Sequence, residues 1–470
     1  MAYTASGFNL STFDPLFKTV QEGMVQDIFN SDDTFAGMVQ KVDDADGRKI
    51  LRAIRTGRIS SHGCQDPDAA MPVAQSATYR NPEIIYKDWI GVIRVNKSVI
   101  ARSKGDKGSF VRGLVQNIKD MVTDSRDDWN RMLLGDGSGS IGFSNNTNTT
   151  AGAAGTNAFI LLSDVISGNP IQPEDARKFA VGLRLHFWNS NKPTTDGSTD
   201  TTQLKVGSVD SEGTTDGVEG EVYSINLTTG AIGLVGTVGG ATGADIDDPS
   251  TTYYVTRKGA RSRTISREFM GLNGIVDDGD PPMNQAEAAD QLGLNALTVA
   301  ANPTWTSHVD SNSGVLRPVT SRILTRAIDA CKIRGGGRPT HFIVPFGVRM
   351  EYAETQGNVR RNVNTAVLSG TTTGGFRENV AARDFIEFNG IPFMPDKYAP
   401  QNTIIAADLN EVRFVRTAKP EWVDEDGSIL RRSLDSTLSF EAHLYCAGNL
   451  MTFSRSSHAK IEDVQGDDPT

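Results

Sequence analysis

The sequence predicts an α+β protein in which one long surface helix separates an extended N-terminal part from a mixed body of helices and strands. Three observations carry this prediction. Apolar residues recur at helical spacing from Ser109 to Leu134, short strand-like runs fill residues 204–255, and residues 1–95 alternate extended pieces with loops. The chain has 470 residues, of which 38% are apolar, so it is long enough for two or three hydrophobic cores.

The long helix is the clearest of the predicted elements. Its apolar face repeats at steps of three and four residues or their sum and consists of Val111, Val115, Ile118, Val122, Trp129, Met132 and Leu133. Ser109 is suited to the N-cap, and Gly135 to the C-terminal stop. A helix of this length spans about 39 Å, which is long for a globular domain.

The segments before the helix predict an arm and a ribbon. Residues 1–47 read as an N-terminal arm with a helix from Asp14 to Phe29, and residues 48–95 as an extended loop with strands at 51–59 and 83–95. An isolated two-stranded ribbon is only marginally stable in water. We therefore expect this ribbon to lie on another chain.

The rest of the chain predicts a body of short helices and strands with a small β module inserted at 200–260. The expected helices span 174–185, 287–295 and 317–334, and a further helix follows the strand 341–344 and runs to about residue 354. The C-terminal third reads as strands at 384–388, 403–407, 412–415 and 444–453, with hairpin-turn chemistry at 424–427.

The formal net charge of −10 is unevenly distributed. Residues 1–47 hold 2 basic and 8 acidic side chains, whereas residues 48–131 hold 16 basic and 9 acidic ones. The candidate contacts between subunits are the basic side chains of the ribbon and the acidic side chains of the arm: Arg52, Arg55, Arg58, Asp27, Asp32, Asp33, Asp43, Asp44 and Asp46. The alternative is that both sets are solvated surfaces without a partner.

Motifs that carry chemistry are weak, which indicates a structural protein rather than an enzyme. The pattern GxGxxG at 137–142 follows a helix instead of a strand, so it does not meet the context of a dinucleotide site. The acidic runs 277–280 and 424–427 lack the ligand spacing of a calcium loop. His62 and Cys64 lack a second pair at zinc spacing. We therefore predict no catalytic, cofactor or metal site.

The remaining sequence features concern location. Cys64, Cys331 and Cys446 are widely spaced and odd in number, as is typical of free thiols in a reducing cytoplasm. The N-terminus lacks the basic and apolar regions of a secretory signal, and no apolar run is long enough to span a membrane.

Several stretches together resemble the HK97-fold major capsid proteins of tailed bacteriophages. The order of arm, basic extended loop, long helix and later body is similar to that family. So are the segments 129–137 at the end of the helix, 267–278, 393–400, 426–428 and 448–452. The resemblance covers nearly the whole chain.

The resemblance implies a subunit that forms pentamers and hexamers of an icosahedral shell around double-stranded DNA, assembled in the host cytoplasm and located in the virion. Its expected partners are copies of itself, a separate scaffolding protein, a portal, a decoration protein, and DNA held by weak non-specific contact. The implied parts are the arm 1–47, the extended loop 48–95, the spine helix with part of the peripheral domain 96–149, the axial domain 150–199 and 261–400 around the insertion 200–260, and the C-terminal strands 401–470.

Two alternatives to a phage capsid remain at this point. An encapsulin-like compartment shell shares the fold and holds cargo enzymes. A phage tail or adhesin protein would bind glycans through the β module at 200–260.

Overall fold

The computed structural model describes the chain from residue 35 to residue 466, with gaps. The described residues are 35–43, 47, 49–51, 53–55, 57–64, 73–81, 83–96, 107–144, 156–160, 178–188, 219–226, 231–235, 253–262, 266–278, 305–359, 386–424, 429, 431–432 and 439–466. The helices expected at 14–29 and 287–295, and residues 425–427 of the expected hairpin turn, lie outside them.

The helices and strands of the described residues are numbered here in chain order. The α-helices are α1 (Phe35–Met38), α2 (Lys107–Leu134), α3 (Leu272–Ile275), α4 (Ser321–Gly335) and α5 (Phe346–Val359). The strands are β1 (Gln40–Val42), β2 (Lys49–Leu51), β3 (Ile54–Arg55), β4 (Tyr79–Arg80), β5 (Glu83–Ile85), β6 (Lys87–Asn96), β7 (Ser140–Ser144), β8 (Thr156–Ile160), β9 (Arg184–Trp188), β10 (Glu219–Asn226), β11 (Ala231–Val235), β12 (Tyr253–Arg257), β13 (His308–Asp310), β14 (His341–Val344), β15 (Glu387–Phe388), β16 (Ile391–Pro395), β17 (Ile404–Ala407), β18 (Val412–Trp422), β19 (Arg431–Arg432), β20 (Ser439–Thr452) and β21 (Ala459–Ile461).

The first layer is the spine helix α2 packed on a sheet drawn from both ends of the chain, which we call the spine sheet. In it β18 pairs with β1 and β20, and β20 also pairs with β6 and β19. The helix buries Ile118, Val122 and Trp129 against this sheet, so the predicted amphipathic helix is confirmed. The predicted N-cap is wrong, because the helix begins at Lys107 and Ser109 lies within its first turn. Trp129 lies edge-on to Phe269, with ring centroids 5.3 Å apart, and tilted against Phe414 at 5.4 Å.

The ribbon is shorter than the sequence predicts. Strand β2 pairs with β5, and β3 pairs with β4, as two-stranded pieces. The expected second strand, 83–95, is divided: only its first part joins the ribbon, and β6 pairs along its whole length with β20. β6 leaves the ribbon because its side chains alternate between the two faces of the strand, and one face buries Ile93 and Val95 in the core of the spine layer.

The strands β10, β11 and β12, which fall within the predicted module 200–260, belong to a larger sheet with β7, β8 and β9. This sheet, which we call the insert sheet, has the strand order β7-β12-β9-β10-β11-β8, with every pair antiparallel. The expected helix at 174–185 is wrong where the structure describes it, because residues 178–183 are turn and loop and β9 begins at Arg184. Leu185 and Phe187 are buried between β10 and β12, and this pairing overrides helical spacing.

The third layer, which we call the body layer, is a six-stranded mixed sheet covered by α4. Its strand order is β13-β21-β17-β14-β16-β15. Leu324, Ile328 and Cys331 on one face of α4 are buried in the core of this layer, as the predicted helix 317–334 requires. The left-handed Gly336 (φ 69°) ends the helix. Within the described residues, no helix has both the length and the apolar character to cross a membrane.

Candidate assembly surfaces

Of the acidic arm candidates, the structure describes Asp43, and it binds the same chain. It follows β1, which lies parallel to β18, and its carboxylate accepts a hydrogen bond from Arg416 Nε at 2.7 Å. Lys419 Nζ lies 3.2 Å away. Burial acts to raise the pKa of Asp43, but Arg416 and Lys419 outweigh it and hold this pKa below its ordinary value. Asp43 therefore fastens the arm to the spine sheet of its own subunit.

The other predicted contact residues divide between exposed and undescribed positions. Arg55 and Arg58 are exposed on the ribbon, and Arg55 Nε donates to the carbonyl of Gly57 at 3.2 Å. Arg52, Asp27, Asp32, Asp33, Asp44 and Asp46 lie outside the described residues. The contact between ribbon and acidic surface of different subunits therefore stays a prediction.

A buried amide joins the arm, the spine helix and the body layer. Asn130 Oδ1 accepts the backbone N–H of Ala36 at 3.1 Å, and Asn130 Nδ2 donates to both carboxylate oxygens of Asp396 at 2.8 and 3.0 Å. Burial raises the pKa of Asp396, against hydrogen bonds from Asn130 and two backbone N–H groups. One side chain therefore connects residue 36 at the end of the arm, the spine helix and the body layer.

The C-terminal end of the spine helix is locked to the segment that follows the insert. Arg131 and Glu268 form a bidentate ion pair at 2.7 and 3.1 Å and are both nearly buried. Lys87 Nζ donates to the carbonyl of Ser266 at 2.7 Å. Asn449 Oδ1 accepts the backbone N–H of Met270 at 2.7 Å. These residues come from four distant parts of the sequence, and no local pattern marks them.

Two glycines allow the backbones to approach at the same junction. A Cβ at Gly271 would lie 2.1 Å from the carbonyl oxygen of Gly135, and one at Gly274 would lie 2.4 Å from that of Asp136. The residues 137–142 match GxGxxG: residues 137–139 form the turn that follows α2, with Gly137 and Gly139 at positive φ, and residues 140–142 begin β7. Their role in the structure is therefore to bring the insert sheet back onto the helix.

A groove of about 850 Å³ lies between the spine helix, β6 and the insert sheet. Asp120, Asp124 and Asp128 line its helical wall at four-residue steps, and Arg184, Arg257 and Lys258 belong to its opposite wall. Arg257 and Asp128 form an ion pair across it. Burial, followed by the charges of Asp128, Asp120 and Asp127, raises the pKa of Asp124. The groove therefore combines an acidic and a basic wall.

Among the described residues, no three His, Cys, Asp or Glu side chains are grouped closely enough to hold a metal ion. Asp277, which belongs to the acidic run 277–280, accepts Lys460 Nζ at 3.2 Å, and its carbonyl accepts Arg455. These contacts connect the junction after α3 to β21 and to the buried Arg455. Asp277 and its two basic partners therefore connect separate elements of the fold.

No family model and no curated protein matches the chain. Among solved structures, the chain is similar to the cyanophage A-1(L) capsid asymmetric unit, with a TM-score of 0.46 and 13% identity, over 99% of this chain and 96% of that one. It is also similar to the satellite phage P4 procapsid including size determination (Sid) protein, with a TM-score of 0.36 and 8% identity, over 96% and 92%. The SrpI encapsulin of Synechococcus elongatus PCC 7942 matches 37% of this chain and 56% of its own, with a TM-score of 0.23 and 15% identity. A likeness of this kind assigns no function.

Proposed function

We propose that the chain is the major capsid protein of a tailed bacteriophage, and that it assembles into the pentamers and hexamers of an icosahedral shell enclosing double-stranded DNA. One observation carries the proposal. The ribbon consists of the pairs β2–β5 and β3–β4, and within the described residues neither pair gains a third strand. The inner pair is anchored on its own chain, because Ile84 of β5 is buried in the core of the spine layer. A two-stranded ribbon is marginal alone, so a surface of another copy that covers the outer pair β3–β4 would stabilise it.

The arrangement of the other parts supports the same proposal. A spine helix of 28 residues lies on a sheet built from N-terminal and C-terminal strands, and a separate α/β body layer follows. These are the parts that the resemblance of the sequence to HK97-fold capsid proteins implies. Contacts distributed over arm, ribbon and spine can each be weak, because closure of a ring and then of a shell makes them multivalent.

The net charge supports one further expected role. A net charge of −10 favours an inner wall that holds DNA weakly, so packaging is not hindered by tight binding. The insert sheet is proposed to project as a brace or docking surface, and a separate scaffolding protein to guide assembly, with the portal and a decoration protein as further partners.

Electron microscopy of the full chain tests this proposal. The chain is expressed alone and together with a candidate phage scaffolding protein. Closed polyhedral shells or hexamer sheets are expected, and shells filled with cargo protein would instead favour the compartment class. Glycan binding without any assembly would favour the adhesin class and overturn the proposal.

A further inference from the structure

A loop of the body layer, Ser311–Leu316, is held rigidly and presents apolar side chains to solvent. The carboxylate of Asp463 accepts the hydroxyl of Ser311 at 2.8 Å and the backbone N–H groups of Asn312 and Gly314 at 2.7 and 3.0 Å. Asn312 Nδ2 donates to the carbonyl of Val315 at 2.7 Å. We call this segment the tip loop.

The base of the tip loop is fixed just as firmly. Arg317 donates from Nη1 to the carboxylate of Asp310 at 3.2 Å and from its backbone N–H to the carbonyl of Asp463 at 2.8 Å. Val315 nevertheless remains 64% exposed, and Leu316 remains 36% exposed. A loop that is already ordered loses little conformational entropy when it binds, so two exposed apolar side chains on it are suited to a contact.

A second surface of complementary character lies along the length of α4. The helix and β13 border a groove of about 720 Å³. Ile333, at the C-terminal end of this groove, is 84% exposed. Arg322, Arg326 and Arg334 also line the groove, against the single acid Asp329, so its rim is basic. The tip loop has acidic neighbours instead, Glu462 and Asp463, of which Glu462 also pairs with Lys460 at 3.0 Å.

Val315 and Leu316 do not line the groove of their own copy. The tip loop precedes the start of α4 at Ser321, and Ile333 lies twelve residues, or about 18 Å, further along the helix. A contact between them must therefore join different copies. Such a head-to-tail contact repeats from one copy to the next and closes into a ring when the rotation allows it.

We propose that the tip loop of one copy docks in the α4 groove of the next copy, with Val315 and Leu316 packed beside Ile333 and the acidic base facing the arginines. The occupant of the groove is thus a second copy of this chain. The inference rests on the proposed function, because it names one of the contacts that would hold a ring of subunits together.

Disulfide trapping tests the contact in the full chain. In a Cys64→Ser background, which removes the exposed native thiol, Val315→Cys and Ile333→Cys are combined. Mild oxidation is expected to move most of the protein into a ladder of species larger than dimers, and a reductant should reverse it. Each single variant should give no ladder. The matched control combines Ile333→Cys with Val181→Cys, an exposed apolar residue of the insert.

The outcomes separate this contact from the proposed function. If the Cys64→Ser chain forms shells but the paired variant stays monomeric, stops at dimers or matches the control, the contact is wrong and the proposed function stands. If the paired variant gives the ladder but no shells form under any condition, the contact stands and the capsid proposal fails.

Discussion

Arg131, in the last turn of the spine helix, and Glu268, beyond the insert, face each other as a bidentate ion pair with side chains only 7% and 9% exposed. Burial acts to lower the pKa of Arg131, but Glu268 outweighs it and raises this pKa above the ordinary value. The pair fixes the point at which the chain returns from the insert sheet to the spine layer.

Removing one partner of this pair leaves a buried charge without compensation. Glu268→Gln is expected to lower the free energy of unfolding by about 3–5 kcal/mol. Urea denaturation followed by circular dichroism measures the effect. The control is Asp127→Asn, which breaks the largely exposed pair with Lys397 and should cost about 1 kcal/mol or less. Equal effects of the two variants would mean that the buried pair does not hold the junction.

Gly271 provides a test of the close approach at the same junction. Gly271→Ala places a methyl group where the carbonyl oxygen of Gly135 lies, so it should destabilise the protein by about 3 kcal/mol or more. Gly63→Ala is the matched control, because nothing lies within 4 Å of its new Cβ. Thermal unfolding of both variants checks the prediction, which a neutral Gly271→Ala would contradict.

Asn130 is expected to control the order of the arm. Asn130→Ala removes the acceptor for Ala36 and the donors to Asp396, at a cost of about 1–3 kcal/mol. Hydrogen exchange at residues 35–39 should speed up by at least tenfold, while exchange in α4 should not change. Protection of residues 35–39 equal to that of the parent chain would show that the arm is held by other contacts.

The buried His458 should make the folded protein less stable in acid. It is fully buried, its Nδ1 accepts the backbone N–H of Asp408, and burial followed by the charge of Arg455 lowers its pKa to about 3. The folded pKa lies below the unfolded value of 6.5, so the unfolded chain binds the proton more readily. The stability contributed by the neutral ring is therefore present above pH 6.5 and is lost as the pH falls toward about 3.

The slope of the unfolding free energy against pH shows whether His458 is the responsible group. Between those pH values one histidine should remove about 1.4 kcal/mol per pH unit. Unfolding free energies of the parent chain and of His458→Gln, measured at several pH values, should differ in slope by that amount. Parallel curves would assign the acid sensitivity to other groups.

The ribbon arginines test the predicted contact between subunits. Reversing Arg52, Arg55 and Arg58 to glutamate should abolish shells and leave a folded monomer, because Arg55 and Arg58 are exposed. Reversal of Arg432, an exposed residue of β19, is the control and should leave assembly intact. Normal shells from the triple variant would contradict the predicted contact.

The elements that could be predicted from the sequence are those determined by the spacing of nearby residues. The spine helix followed from the spacing of Ile118, Val122 and Trp129, and α4 from the face that ends at Cys331. The division of the predicted ribbon strand before β6 was missed, because the choice between the partners β2 and β20 depends on residues hundreds of positions away. The first two residues of β9 were predicted as the end of a helix, because its partners β10 and β12 lie tens of positions further along the chain.

Only some of the residues that form contacts in the structure could be predicted from the sequence. The clustering of charge drew attention to Asp43 and Arg55, but the partner of Asp43, Arg416, comes from a strand that no local pattern connects to the arm. The junction of Arg131 with Glu268 and the hub at Asn130 carry no signal in one sequence, since each is defined by contacts across more than 90 positions.

The central claim, that this chain builds a closed shell, is tested most directly by electron microscopy of the full chain coexpressed with a phage scaffolding protein. Polyhedral shells of uniform diameter are expected, with walls that show pentamers and hexamers. A folded protein that remains a dispersed monomer under every condition of coexpression would contradict it.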